Sequence, residues 1–259
     1  MTRTYGVPRP DRVAYLDQAA ATAPARAYKA RLLTELELRS GHTVLDVGCG
    51  PGTDLAAMAA AVAPGGRVIG VDHADDMVRE ARQRLAGTPG VEVREGDAHD
   101  LPLDTSSVDR ARVDRVLMHV TDPAEVLAEL RRVVRPGGLV GLAEPDWDTL
   151  VVDPGDPETV RAFNRFVTGN QVRNATIGRQ LARLGAAAGF TVRDVTGTAP
   201  VFRDLPVADQ VLGLSRNAER AVRAGYLDRR AADRWIAALT EGPLLATFTV
   251  FTVVLERPS

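Results

Sequence analysis

Cysteine is nearly missing from this chain. Cys49 is the one thiol in 259 residues, so neither a disulfide framework nor a cysteine-based zinc site can be built. No metal is expected, and a reducing, cytoplasmic setting fits best. Long apolar runs are missing too. Nothing approaches the roughly 20 residues of a membrane-spanning helix, and Met1 to Pro10 lacks the continuous apolar stretch of a signal peptide. Neither secretion nor membrane embedding is expected. There is no excess of either charge. The 32 basic residues, nearly all arginine, face 34 acidic ones along the same helices, leaving a formal charge of −2 and no sustained basic face. Nucleic acid is therefore not an expected partner. Internal repeats and tracts biased enough to imply disorder are also lacking.

What is present is alternation. From Thr43 onward, β-branched runs at 43–48, 67–71, 90–95, 109–114 and 138–143 alternate with amphipathic helical stretches. This pattern predicts a parallel sheet with helices on both faces. Asp75 and Asp76 place negative charge at the start of one helix, where the dipole favours it. Asp122, Pro123 and Glu125 predict the start of another, which ends at Pro136-Gly137-Gly138. Before the sheet, Asp11 to Glu37 reads as mostly helical. Beyond it, 145–175 reads as an inserted lid containing a helix from Glu158 to Asn170. A helix at 177–188, a strand at 190–203, helices at 206–224 and 228–241, and a closing strand from Leu245 to Leu255 follow. The expectation is one domain: an N-terminal helical cap (1–40), a core (41–144), the lid (145–175) and a C-terminal part (176–259) with a helical insertion at 206–241.

The chemistry is concentrated where strands end. Val44-Leu45-Asp46-Val47-Gly48-Cys49-Gly50-Pro51-Gly52 is a strand running into glycines and then a helix. Without Cβ atoms a ligand can approach the chain, and the amides opening the helix would attract a carboxylate or phosphate. About twenty residues on, Val68-Ile69-Gly70-Val71-Asp72 ends a strand in a carboxylate placed to bond ribose hydroxyls. A third strand runs into Gly96-Asp97-Ala98 at the same sheet edge.

These segments, with the Arg135-Pro136-Gly137-Gly138 turn, resemble in kind and order the motifs of class I S-adenosylmethionine (SAM)-dependent methyltransferases. Within that class the chain looks most like the ubiquinone/menaquinone-biosynthesis type acting on small molecules. The resemblance covers roughly 40–145. It implies a Rossmann-like, mostly parallel seven-stranded sheet whose last strand is antiparallel. It also implies SAM as cofactor and S-adenosylhomocysteine (SAH) as product. Gly48, Cys49, Gly50 and Gly52 would flank the methionine portion, with Asp46 near its ammonium. Asp72, His73 and Met77 would hold the ribose and adenine edge, and Gly96, Asp97 and Ala98 the adenine, while Val113, Asp114 and Arg115 complete the cofactor set.

Methyl transfer from a sulfonium needs alignment and dryness more than a catalytic triad. For an acceptor that must lose a proton, Asp114, Arg115, His119, Glu144, Asp146 and Asp148 are the candidates. His119, Asp146 and Arg115 are carried forward as catalytic. His119 could equally be a packed imidazole, and Arg115 could pair with the cofactor carboxylate or lie in solvent. Trp147 could stack on a flat or cationic acceptor. Phe163, Phe166, Asn170 and Arg173 in the lid, with Tyr15 from the N-terminal helices, could line an acceptor pocket, although Phe163 and Phe166 at helical spacing also suit plain packing. The expected partner is a small-molecule acceptor, for a monomer or homodimer. Two other readings stay open: a SAM-binding protein that does not methylate, and a nicotinamide-dependent oxidoreductase.

Overall fold

The computed structural model describes residues 12–259; the expectations for Met1 to Asp11 lie outside the described residues. The predicted alternation folds as five parallel strands, β1 (Thr43–Val47), β2 (Arg67–Asp72), β3 (Val91–Glu95), β4 (Val108–Asp114) and β5 (Val134–Asp153). Beyond them come β6 (Thr191–Thr198), the two-residue β7 (Val201–Phe202) and β8 (Leu245–Glu256). The sheet runs β3-β2-β1-β4-β5-β8-β6, with β7 paired to β8 off that path. β8 is antiparallel to both β5 and β6, so the antiparallel last strand stands as expected. The strand expected over 190–203 is split by Ala199-Pro200, since proline brings no N–H to a ladder.

The chain leaves β1 toward β3 on one side and returns to β4 and β5 on the other. This reversal opens a crevice at the carboxyl ends of β1 and β4, the place where such sheets bind ligands. Helices α3 (Leu55–Val62), α4 (Asp75–Arg84) and α5 (Pro123–Val133) connect these strands. Asp122 caps α5 as predicted, its carboxylate accepting the amides of Ala124 and Glu125. The N-terminal helical stretch is two helices, α1 (Arg12–Ala21) and α2 (Ala23–Glu35). They are separated at Thr22, whose hydroxyl caps the second.

β5 is much longer than its predicted core at 138–143. It runs on to Asp153 because β8 pairs with it from Leu139 to Asp153, with a register shift between Asp146 and Val151. β4 ends opposite Ala143, so Pro145 sits where β5 has a neighbour on one side only, a position that tolerates proline. The segment expected to be a lid from residue 145 thus begins as sheet. Its helix α6 (Pro157–Phe166) ends in a π-helical turn at Val167–Gln171. The helix packs on the extended sheet with Phe163 and Phe166 buried. Phe163 meets Trp235 edge-on at 4.9 Å between ring centres.

α7 (Ile177–Ala187) follows, and the helix expected over 206–224 is two, α8 (Leu205–Leu212) and α9 (Leu214–Arg223). Gly213, at φ +64, makes the break in a left-handed conformation that side chains disfavour. α10 (Arg229–Glu241) then leads into β8. No helix among the described residues is long and apolar enough to cross a membrane.

Candidate functional site

A cavity of about 560 Å³ lies at the crevice, a volume typical of small-molecule sites. The ends of β1 to β4 meet there. Gly48, Cys49, Gly50, Asp72, His73, Met77, Gly96, Asp97, Ala98, Asp114 and Arg115 all line it, as do His119, Tyr15 and Trp147.

The glycine turn is tied to the next strand. Gly50 donates its amide to Asp72 Oδ2 at 2.8 Å, and Ala74 donates to Asp72 Oδ1 at 2.9 Å. The glycines differ in what they allow. A Cβ on Gly48 would strike Val116 at 2.2 Å, and one on Gly52 would strike Leu85 at 2.8 Å, so these two let neighbouring chain pack closely. A Cβ on Gly50 would meet only Leu16, at 3.5 Å, so at this residue the backbone is bare toward the cavity.

Asp97 bonds within its own loop, its Oδ1 accepting the His99 amide at 2.9 Å and lying 2.6 Å from His99 Nδ1. Those bonds hold its carboxyl below the usual range. The other ring nitrogen, His99 Nε2, accepts the Asp122 amide at 3.3 Å and so joins the loops after β3 and β4.

Several expected residues lie elsewhere. Asp46 does not line the cavity. It is 1% exposed and forked by Arg112, with Nε to Oδ1 at 2.8 Å and Nη2 to Oδ2 at 3.0 Å, so its charge is spent inside the sheet rather than on a ligand. Burial raises its pKa, an effect the Arg112 charge only partly offsets. Val113 is wholly buried in the core, and Gly52 packs on α4. Asp146 is wholly buried and ion-paired to Arg179, which removes it as a base. Phe163 and Phe166 are core, Asn170 bonds its own helix at Phe166 O, and Arg173 lines a separate surface groove. The burial of α6 against β5 is the common reason: it turns that helix away from the crevice.

Lys29, Asp54 and Arg112 also line the cavity, and sequence reasoning did not single them out. Lys29 Nζ lies 2.6 Å from Asp54 Oδ2, and Arg112 Nη2 donates to the same oxygen at 2.8 Å. Burial alone would raise Asp54, but these two cations hold it below the usual range. Tyr28 donates to Asp114 Oδ1 at 3.0 Å, with Lys29 Nζ 3.5 Å from Oδ2 and Arg115 Nε 3.6 Å from Oδ1. Arg115 adopts φ +58, a conformation costly for a side-chain-bearing residue. The one available signal was charge inside a central strand: Asp46 and Arg112 are register partners on β1 and β4.

Glu144, at 0% exposure, accepts the amides of Val116 at 2.7 Å and Leu117 at 2.5 Å, fixing the turn that carries Arg115 and His119. Burial pushes its carboxyl up to about 8. His119 lines the cavity, and loss of solvent, then the Arg12 and Arg115 charges, lower its pKa, so its imidazole is neutral at pH 7.

These residues fit an adenosine-bearing amino acid. There is a bare backbone at Gly50, a carboxylate ending β2 at Asp72, a loop at Asp97 and Ala98, and a mixed-charge group of Lys29, Asp54, Arg112 and Asp114 for a zwitterionic end.

A family model described as "Methyltransferase domain" matches residues 38–189. An uncharacterised 37.1 kDa protein in transposon TN4556 of Streptomyces fradiae is 55% identical over 247 residues, covering 95% of this chain and 72% of that protein. A demethylmenaquinone methyltransferase of Staphylococcus aureus is 33% identical over 127 residues, 49% of this chain and 53% of that enzyme. Among solved structures, the YcgJ protein of Bacillus subtilis superposes with a TM-score of 0.66 at 20% identity, covering 90% of this chain and 99% of that one.

Proposed function

The chain belongs to the methyltransferase-domain family, and on that premise we propose that it binds SAM in the crevice and transfers its methyl group to a small-molecule acceptor. The observation that carries this reading is the convergence of Gly50, Asp72 and Asp97, from three neighbouring strand ends, on one cavity.

The cofactor, when bound, supplies a methyl group already activated by a sulfonium. The remaining work falls to this chain's residues. The amides of the glycine turn and the Asp72 carboxylate orient the nucleoside. Lys29, Asp54, Arg112 and Asp114 form a fixed, nearly charge-balanced surface for the amino-acid end. Tyr15, Leu16 and Ala19 on α1 cover the cavity and exclude water. α1 is itself held to α4 by Arg84, which forks Asp17 at 2.8 and 2.7 Å. Where the acceptor must lose a proton, His119, neutral and lining the cavity, serves as the base; Asp114, which also lines it, is bonded by Tyr28, and Glu144 and Asp146 are engaged in internal bonds.

Calorimetry with SAM, SAH and NAD tests the site, with the two sulfur ligands expected to bind. Binding of NAD alone would overturn the assignment. Transfer of label from methyl-labelled SAM into acceptors then separates a methyltransferase from a protein that only holds the cofactor.

A further inference from the structure

The loops after β3 and β4 meet at the His99 ring, whose Nδ1 lies 2.6 Å from Asp97 Oδ1 and whose Nε2 lies 3.3 Å from the Asp122 amide. An amide can only donate, so Nε2 accepts, and the ring nitrogen left to donate toward the carboxylate is Nδ1. Asp97 depends on that donor for its direction. Its side chain is 66% exposed, and among the described residues the other hydrogen bond to its carboxylate comes from the His99 amide, 2.9 Å from the same Oδ1. One contact lets a carboxylate turn about it; two on one oxygen fix the way the group faces. Oδ2 is left without a hydrogen-bond partner among the described residues, as is the amide of Ala98, and both residues line the cavity.

Asp97 follows β3, which lies beside β2 in the sheet, so a nucleoside with its ribose at Asp72 turns its base toward Asp97 and Ala98. There the base meets an acceptor and a donor from consecutive residues. A 6-amino purine supplies the complement, since its amino group donates and its N1 accepts. A 6-oxo purine reverses both atoms. It could recover a bond only if the carboxylate swung across to its N1–H, and the hold of His99 on Oδ1 opposes that swing.

We propose that His99 is a positioning residue for the nucleoside: it fixes Asp97 so that Oδ2 stays opposite the purine 6-position, and the site thereby accepts a 6-amino purine and rejects a 6-oxo one. The proposal rests on the SAM reading, and its test separates the two. The probes are SAH and S-inosylhomocysteine, which differ only at the purine 6-position and in the N1 proton that goes with it, titrated by calorimetry at pH 7. No SAH binding to the parent protein sinks the SAM reading itself. Where SAH binds, S-inosylhomocysteine is expected to bind at least about tenfold more weakly, and equal affinity overturns the proposal. His99→Asn keeps a donor where Nδ1 stands, whereas His99→Gln keeps a polar group where Nε2 stands. The first is expected to hold the SAH preference within about threefold of the parent, and the second to bring it below about threefold, because Asp97 can then follow the N1–H. A purely structural role would move both variants alike, so equal ratios in the two overturn the role of His99. Asp97→Asn leaves His99 in place and carries the test where the His99 variants do not fold. Two N–H groups face Oδ1, so the new side-chain amide must turn its carbonyl to them and its NH2 to the ligand, which favours the 6-oxo probe. The SAH preference is expected to fall at least about tenfold; a preference kept at the parent level shows the side chain turning freely and overturns the proposal.

Discussion

Gly50 donates its backbone amide to Asp72 Oδ2 at 2.8 Å, so the acid ending one strand holds the glycine turn that follows its neighbour. Asp72 thus shapes the turn, and in the proposed function its remaining lone pairs are the ones offered to the ribose.

Replacing Asp72 removes both at once. Asp72→Ala is expected to weaken SAM binding by roughly 1–3 kcal/mol and to lower thermal stability, because the Gly50 and Ala74 amides lose their acceptor. Calorimetry and a melting curve on the same preparation check the pair. Unchanged affinity in a folded variant would remove Asp72 from the site.

Arg112 neutralises two carboxylates at 4% exposure. Arg112→Met leaves Asp46 buried and uncompensated, with an expected loss of about 3–5 kcal/mol of stability in urea unfolding. Adding Asp46→Leu to that variant is expected to recover part of the loss, since it removes the stranded charge.

Phe163 separates packing from substrate contact. It is wholly buried against Trp235, so Phe163→Ala is expected to cost about 3–5 kcal/mol of stability. SAM affinity in the folded fraction should stay at the parent value, which calorimetry below the melting transition would show.

The glycine-turn side of the cavity was legible because its signals are local. A strand, three glycines and an acid occupy adjacent positions from Asp46 to Gly52, Asp72 ends the apolar run of β2, and Asp97 follows β3 in a Gly-Asp-Ala segment. The apolar side of the cavity was not, because Trp147, Phe202 and Phe248 are brought together only by pairing of β5 and β7 with β8, about a hundred residues beyond Trp147. Lacking that partner strand, Pro145 reads as the end of sheet and α6 as a lid. Asp46 shows the other limit: a motif locates an acid, but its partner depends on the register that sets Arg112 beside it.

Glu144 makes stability depend on pH. Burial raises its folded pKa to about 8 from a reference of 4.5, so the folded chain holds a proton that the unfolded chain gives up between those values. The associated stability is full below about pH 4.5 and is lost as pH rises through about 8. Denaturant melts across that window are expected to show the decline, and Glu144→Gln, which cannot titrate, is expected to flatten it.

His119 is tested by the pH dependence of turnover. Its imidazole lines the cavity and is held below 6.5 by loss of solvent, then by Arg12 and Arg115. A base with that pKa gives kcat/KM that rises with pH to a midpoint below 6.5 and is level above it. His119→Ala is expected to remove the rising limb and lower kcat by roughly 100-fold, with SAM affinity unchanged because cofactor contacts remain. If the limb survives in the variant, the proton leaves by another route and His119 is a wall residue. The folded protein also gains from keeping this ring neutral: the stability it contributes is full above about pH 6.5 and falls as pH drops through its lowered folded pKa, the opposite slope to that of Glu144.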